Sequence, residues 1–216
     1  MARPTNKKNN SVKTAQAGAC DPEHEFILIL SNVPALTPEI ENALFEAGCD
    51  DGTVGMQFGR MAIDFTRSAP TLKDAILSAI RDVQKAKIGA RIDRVHNCDL
   101  VTQAEIARRI SRTRQLVHQY INGTRGPGGF PAPTCEITDN VPLWQWCEVA
   151  SWLGENDMIT EDVVRAARDT EMINAVLKFL SQQALHPDLM ADLLKHFSFI
   201  EESLASKARP RRQPAT

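Results

Sequence analysis

The amino-acid sequence predicts an α+β fold, and three observations carry that prediction. Strand-like and helix-like patterns alternate in the order βαββαβ between residues 23 and 98; helical pattern, turn, helical pattern and a Pro/Gly-rich stretch with short strands follow over 99–156; and the apolar spacing is helical throughout 157–206. A basic arm at 1–22 and a basic tail at 207–216 flank these three regions.

Residues 1–22 are polar, basic and without aromatics, the composition of a disordered arm. "EFILILSNV" reads as a buried strand. "TPEIENALFEAG" reads as a helix with Thr37 at its cap, Pro38 at its first position and Gly48 at its end. "TVGMQF" and "MAIDFTR" form a hairpin joined by Gly59-Arg60. In "TLKDAILSAIRDVQKAK", Ile76, Ile80 and Val83 recur at helical spacing behind a Thr71 cap with Asp74 three residues on, and "ARIDRVH" closes the unit as its last strand. This order is similar to that of the ferredoxin-like fold. The carboxyl-terminal region divides at His186-Pro187 into two helices, the second with Leu189, Leu193, Phe197, Ile200 and Leu204 on one stripe. Those two helices are candidates for dimerisation.

Composition excludes several classes. The chain has 216 residues, 43% of them hydrophobic, and no apolar run approaches the ~20 residues that a membrane span needs. The amino terminus lacks the apolar stretch of a secretory signal, so a cytoplasmic location is expected. Five cysteines, at 20, 49, 98, 135 and 147, include no C-x-x-C pair, which argues against a zinc site or a disulfide framework; "HNC" at 96–98 is too small a group to hold a metal. No metal or cofactor is expected. Nor is an enzyme, because the 23–98 unit has no defensible catalytic constellation: Asp50 and Asp51 beside Cys49 read as a structural turn, and acylphosphatases, which share the βαββαβ order, need an arginine that "SNVPALT" lacks. An effector site for a protein or small molecule in that unit stays open.

The formal net charge of −2 conceals a segregation. Residues 99–130 carry five arginines against Asp99 and Glu105, whereas 131–206 carry four basic and thirteen acidic residues. Charge interactions are screened over about 8–10 Å, so a local cationic patch can hold a phosphate backbone despite the total.

The patch centres on "SRTRQLVHQYINGTRGPGGF", residues 111–130, with three arginines, no lysine, no acid and four glycines. Ahead of it, Thr102 and Glu105 form a T-x-x-E capping box before Ile106, Ala107 and Ile110, so a helix begins at 103, and small Ala107 lets a second helix cross closely. Thr113 caps that second helix, 113–122, and Gly123 stops it. Winding it at about 100° per residue places Arg114, His118, Asn122, Gln115 and Gln119 within an arc of ~140°, with Leu116, Val117, Tyr120 and Ile121 in the opposite arc. A solvated face usually mixes Glu with Lys; this one has neither. Arg pairs with guanine and Gln or Asn with adenine through two hydrogen bonds, so the composition suits base edges in a major groove.

"QAEIARRISRTRQLVHQYING" resembles the bacterial helix-turn-helix, with Gln103 opening the unit, Ala107 at the small position, Val117 ten residues on, and Ser111 where that family usually has glycine. The following stretch is similar to the wing of MerR and AlpA/excisionase-like winged helix domains: Phe130-Pro131-Ala132-Pro133 as a strand, Leu143-Trp144-Gln145-Trp146 as another, and Glu148, Val149, Trp152 and Leu153 in the next helix. The resemblance implies a double-stranded DNA-binding transcriptional regulator, acting as a homodimer. Arg114, Gln115, His118, Gln119 and Asn122 are expected to read bases. Thr102, Gln103, Arg112, Thr113, Thr124, Arg125, Gly128 and Gly129 are expected at phosphates, and Trp144, Trp146 and Trp152 pack the wing. The alternative is an antitoxin-like or adaptor protein acting through protein contacts.

Overall fold

The computed structural model of the protein describes residues 21–96, 99–137 and 141–207. The arm up to residue 20, Asn97 and Cys98 of "HNC", and the tail from 208 lie outside them.

The first unit runs β1 (Glu23–Ser31), α1 (Pro38–Ala47), β2 (Gly52–Gln57), β3 (Arg60–Ser68), α2 (Leu72–Lys85) and β4 (Arg91–Val95). Its strands make one antiparallel sheet in the order β2-β3-β1-β4. Period-two alternation sets the register: Phe26 lies opposite Phe65, Leu28 opposite Ile63 and Leu30 opposite Met61, and all six turn to one face. There they meet Leu44 of α1 and Ala75, Ile76, Ala79 and Val83 of α2. The β2–β3 turn falls one residue earlier than the expected Gly59-Arg60. Gln57 pairs with Arg60, leaving Phe58 and Gly59 as the turn at φ 48° and 74°. Two left-handed residues give a turn whose twist matches the strands, and Arg60 is thereby kept for the ladder.

One buried cation organises this unit. Arg67 of β3, 8% exposed, donates to both carboxylate oxygens of Asp51 (2.6 and 2.8 Å), to Asp82 (2.8 Å), to the Ser78 hydroxyl (3.0 Å) and to the Gly48 carbonyl (2.8 Å), with its guanidinium 5.0 Å from the Phe65 ring centre. The end of α1, the turn before β2, and α2 are thus tied to a central strand. Asp51 is occupied structurally, in keeping with the turn read from the sequence. Burial, together with Asp82 and its neighbouring carboxylates, pushes the Cys49 thiol up to about 11, so it is a packed thiol and a poor nucleophile.

The second unit contains β5 (Leu100–Val101), α3 (Gln103–Arg109), α4 (Arg114–Ile121), β6 (Cys135–Ile137), β7 (Val141–Gln145) and α5 (Trp146–Glu155), with sheet order β5-β7-β6. Two features correct the sequence reading. Phe130–Pro133 is not a strand: its two prolines lack N–H donors, and pairing starts only at Cys135. Strand β5 was not anticipated, being two residues long and set by its partner, with Leu100 opposite Gln145 and the Trp146 N–H donating to the Asp99 carbonyl at 2.7 Å. Val101, Ile106, Ala107, Val117, Trp144, Val149 and Leu153 form the core.

Two helices follow, α6 (Glu161–Leu185) and α7 (Pro187–Lys207). α6 serves both units. Ala167 joins the second core and Val164 meets Gly154 of α5, where an added Cβ would sit 2.5 Å from a Val164 methyl. One and a half turns on, Ile173 and Leu177 pack against the first core. Among the described residues, no helix is long and apolar enough to cross a membrane.

Arg67→Met keeps much of the side-chain volume but leaves Asp51 and Asp82 without their guanidinium. It is expected to lower the unfolding free energy by about 3 kcal/mol, read from the urea midpoint.

Candidate nucleic-acid interface

The helix pair is set by its caps. The Thr102 hydroxyl accepts from the Glu105 N–H at 3.2 Å, as the T-x-x-E spacing predicts. The reciprocal arm of the box is replaced: the Glu105 carboxylate instead accepts from Arg108 (2.9 Å) and Arg109 (3.0 Å), and these guanidiniums bring its pKa down to about 2. The one acid of the α3–α4 pair is therefore held by its own helix.

At the turn, Ser111 adopts φ 52°, a left-handed conformation, where the resembling family usually has glycine. Its N–H donates to the Arg108 carbonyl and the next N–H to Ala107, closing α3 as a left-handed cap does. The serine carries a Cβ cost that glycine would avoid, and the paired hydrogen bonds offset it. Ala107, 4% exposed, lets the helices cross closely.

The Thr113 hydroxyl accepts from the Leu116 N–H at 3.2 Å and starts α4. Gly123, at φ 65°, ends it, with N–H bonds from Gly123 to Tyr120 and from Thr124 to Gln119. Val117 is buried and Leu116, Tyr120 and Ile121 are half-buried, while Arg114, Gln115, His118 and Asn122 are exposed and Gln119 is half-buried. The two arcs fall where helical winding puts them.

The side chains expected at phosphates divide into two groups. Arg112 and Arg125 are exposed, and neither forms a salt bridge among the described residues. Thr102 and Thr113 use their oxygens as acceptors in the caps, which leaves each hydroxyl proton to donate outward. Thr124 spends its proton on the Gln119 carbonyl at 3.3 Å. Gln103 is a positioning residue: its amide donates to the Arg114 carbonyl at 2.8 Å, joining the first turn of α3 to that of α4. Among the expected base readers, His118 Nε2 and Asn122 Nδ2 lie 2.8 Å apart, so the asparagine amide orients the ring.

The glycine run is a fixed loop rather than a tether. Gly126 (φ 87°) packs where an added Cβ would lie 2.9 Å from the Tyr120 ring. The half-buried Gly128 offers its carbonyl to Trp152 Nε1 at 2.9 Å, Pro131 offers its own to Trp144 Nε1 at 3.0 Å, and Phe130 lies edge-on to both indoles. Gly129 is exposed. Trp144, Trp146 and Trp152 are all buried, in packing roles. The connection between β6 and β7, residues 138–140, lies outside the described residues.

No family model, curated protein or solved structure matches the chain. The functional reading therefore rests on the residues and their arrangement.

Gly126→Ala combines a left-handed φ with a close approach to Tyr120, and is expected to cost about 2 kcal/mol in thermal unfolding. Gly129→Ala meets nothing within 4 Å and is strained only by its φ of 66°, so its cost should be about half as large.

Proposed function

We propose that residues 99–156 form a winged helix-turn-helix that binds double-stranded DNA with α4 in the major groove, and that the protein regulates transcription in a bacterial cytoplasm. The observation that carries the reading is the outer face of α4. It presents Arg114, Gln115, His118 and Asn122 to solvent with no acid among them, while Val117 anchors the opposite face. An eight-residue helix is about 12 Å long, comparable to the ~12 Å width of the major groove. The β5-β7-β6 order, with β6 and β7 as the wing, supports the winged form. In the same reading the first unit is ferredoxin-like, supported by its element order and its β2-β3-β1-β4 sheet.

On this reading contacts sort by chemistry. Arg114, Gln115, His118 and Gln119 meet base edges; Arg112 and Arg125, the hydroxyls of Thr102 and Thr113, and the Gly129 backbone meet phosphates. Selection from a random duplex pool, followed by fluorescence anisotropy, tests it. Arg114→Ala is expected to lose about 1–3 kcal/mol at one base position and to relax the preference there. Arg125→Ala is expected to weaken all duplexes alike and to reduce the slope of log K against log salt by about 1. Enrichment of no sequence, together with unchanged affinity in both variants, would sink the proposal.

A further inference from the structure

We infer that β2, the open edge of the first sheet, is a docking site for an extended cationic segment of another protein, which joins the four-stranded sheet as a fifth strand. The inference stands on the first unit and does not depend on the DNA reading.

β2 ends its sheet, so its outer edge pairs with no strand among the described residues. The register shows what that edge offers. The Thr66 N–H donates to the Asp51 carbonyl at 3.1 Å, which makes these two a hydrogen-bonded pair, and the alternation of an antiparallel ladder then turns the N–H and C=O of Val54 and Met56 outward. Edge strands are ordinarily blunted by a charge, a proline or a bulge. Gly52–Gln57, of sequence GTVGMQ, has none of these, and its pairing with β3 is unbroken. The opposite edge, at β4, is closed by Asn174, which bonds the backbone of Val95.

α1 walls the open edge on one side. Between them lies a cleft of about 220 Å³ whose lining includes Glu41, Phe45, Asp50 and Val54, with Glu41 and Phe45 one helical turn apart on α1. Small-molecule pockets begin at about 300 Å³, so this one suits a single long side chain. Phe45 is 67% exposed there; Met56, two residues along β2 from Val54, is 38% exposed, and Phe58 at the turn stands fully in solvent.

Charge names the occupant. Residues 37–59 carry five acids, Glu39, Glu41, Glu46, Asp50 and Asp51, and no base. Of the five, only Asp51 is held in a salt bridge among the described residues. A lysine or arginine in the added strand lays its methylenes on Phe45 and Val54 and brings its charge to Glu41 and Asp50. The residue two places along points to the same face about 7 Å away, where an apolar side chain meets Met56. A second copy of this chain would bring the same acids and no base to the seam, so charge opposes self-pairing.

The probe is a labelled peptide, Gly-Thr-Val-Thr-Lys-Thr-Val-Thr-Gly, which sets lysine and both valines on one face in either direction. Fluorescence anisotropy with the full chain is expected to give a Kd on the order of 100 µM, weakened about tenfold when glutamate replaces the lysine. Met56→Pro removes an N–H that faces away from β3, so it is expected to weaken binding about tenfold at an unchanged urea midpoint. Glu41→Lys with Asp50→Lys changes two exposed side chains and is expected to transfer the preference to the glutamate peptide, which keeps the test open where the proline variant fails to fold. N-methylation of the peptide at alternate residues is expected to abolish binding in one phase and spare it in the other, the mark of strand pairing. The inference is overturned by absence of binding at millimolar peptide, by indifference to a folded Met56→Pro, or by equal effects of both methylation phases. A dimer in sedimentation that Met56→Pro dissociates gives the edge to a second copy and overturns it too. So does binding that appears only after Arg3→Ser, Lys7→Ser, Lys8→Ser and Lys13→Ser, which gives the edge to the chain's own arm.

Discussion

A single side-chain amide holds the parts of this protein in register. β4 is an edge strand, and Val95 near its end has a backbone N–H and C=O facing outward. Asn174 of α6 takes both, accepting at 2.8 Å and donating at 3.2 Å, and its amide also reaches the Asp99 carboxylate at 3.2 Å. Edge strands expose unpaired groups that invite other chains, and here a helix closes the edge in place of another strand. The same helix packs on α5 through Val164 and joins the second core through Ala167, so the pairing that finishes the first sheet also positions the second unit. Glu171, one turn before Asn174, accepts from the Gln145 amide and extends this polar seam to the last residue of β7. Burial raises the Asp99 pKa above the usual carboxylate range, with Glu171 adding to the effect and Asn174 opposing it.

What the sequence made legible follows from the range of the forces involved. The apolar run of β1, the hairpin of β2 and β3, the capping threonines at 71, 102 and 113, and the two arcs of α4 are local patterns, and each was readable before any contact was known. Long-range determinants were not. Strand β5 has two residues and exists because β7 pairs with it. The double role of α6 is hidden because its inward face changes partner along its length, from Ala167 against one core to Ile173 against the other, which blurs any single stripe. Left-handed positions without glycine were also invisible: Ser111 and Asp157 close α3 and α5 with the same paired N–H bonds that Gly48 and Gly123 supply to α1 and α4. Glu105 is a subtler case. Its spacing from Thr102 fitted a capping box, and the two arginines that follow it outcompeted the backbone.

The loop after α4 shows why glycine content alone does not imply flexibility. Four of its residues between 123 and 129 have positive φ, and all four are glycine. Yet two buried indoles bind carbonyls on the path, and Tyr120, which belongs to the inner face of α4, closes over Gly126. Tyr120, near the end of α4, thus also fixes the chain leading to β6. Arg125 lies in that loop, exposed and without a salt-bridge partner among the described residues.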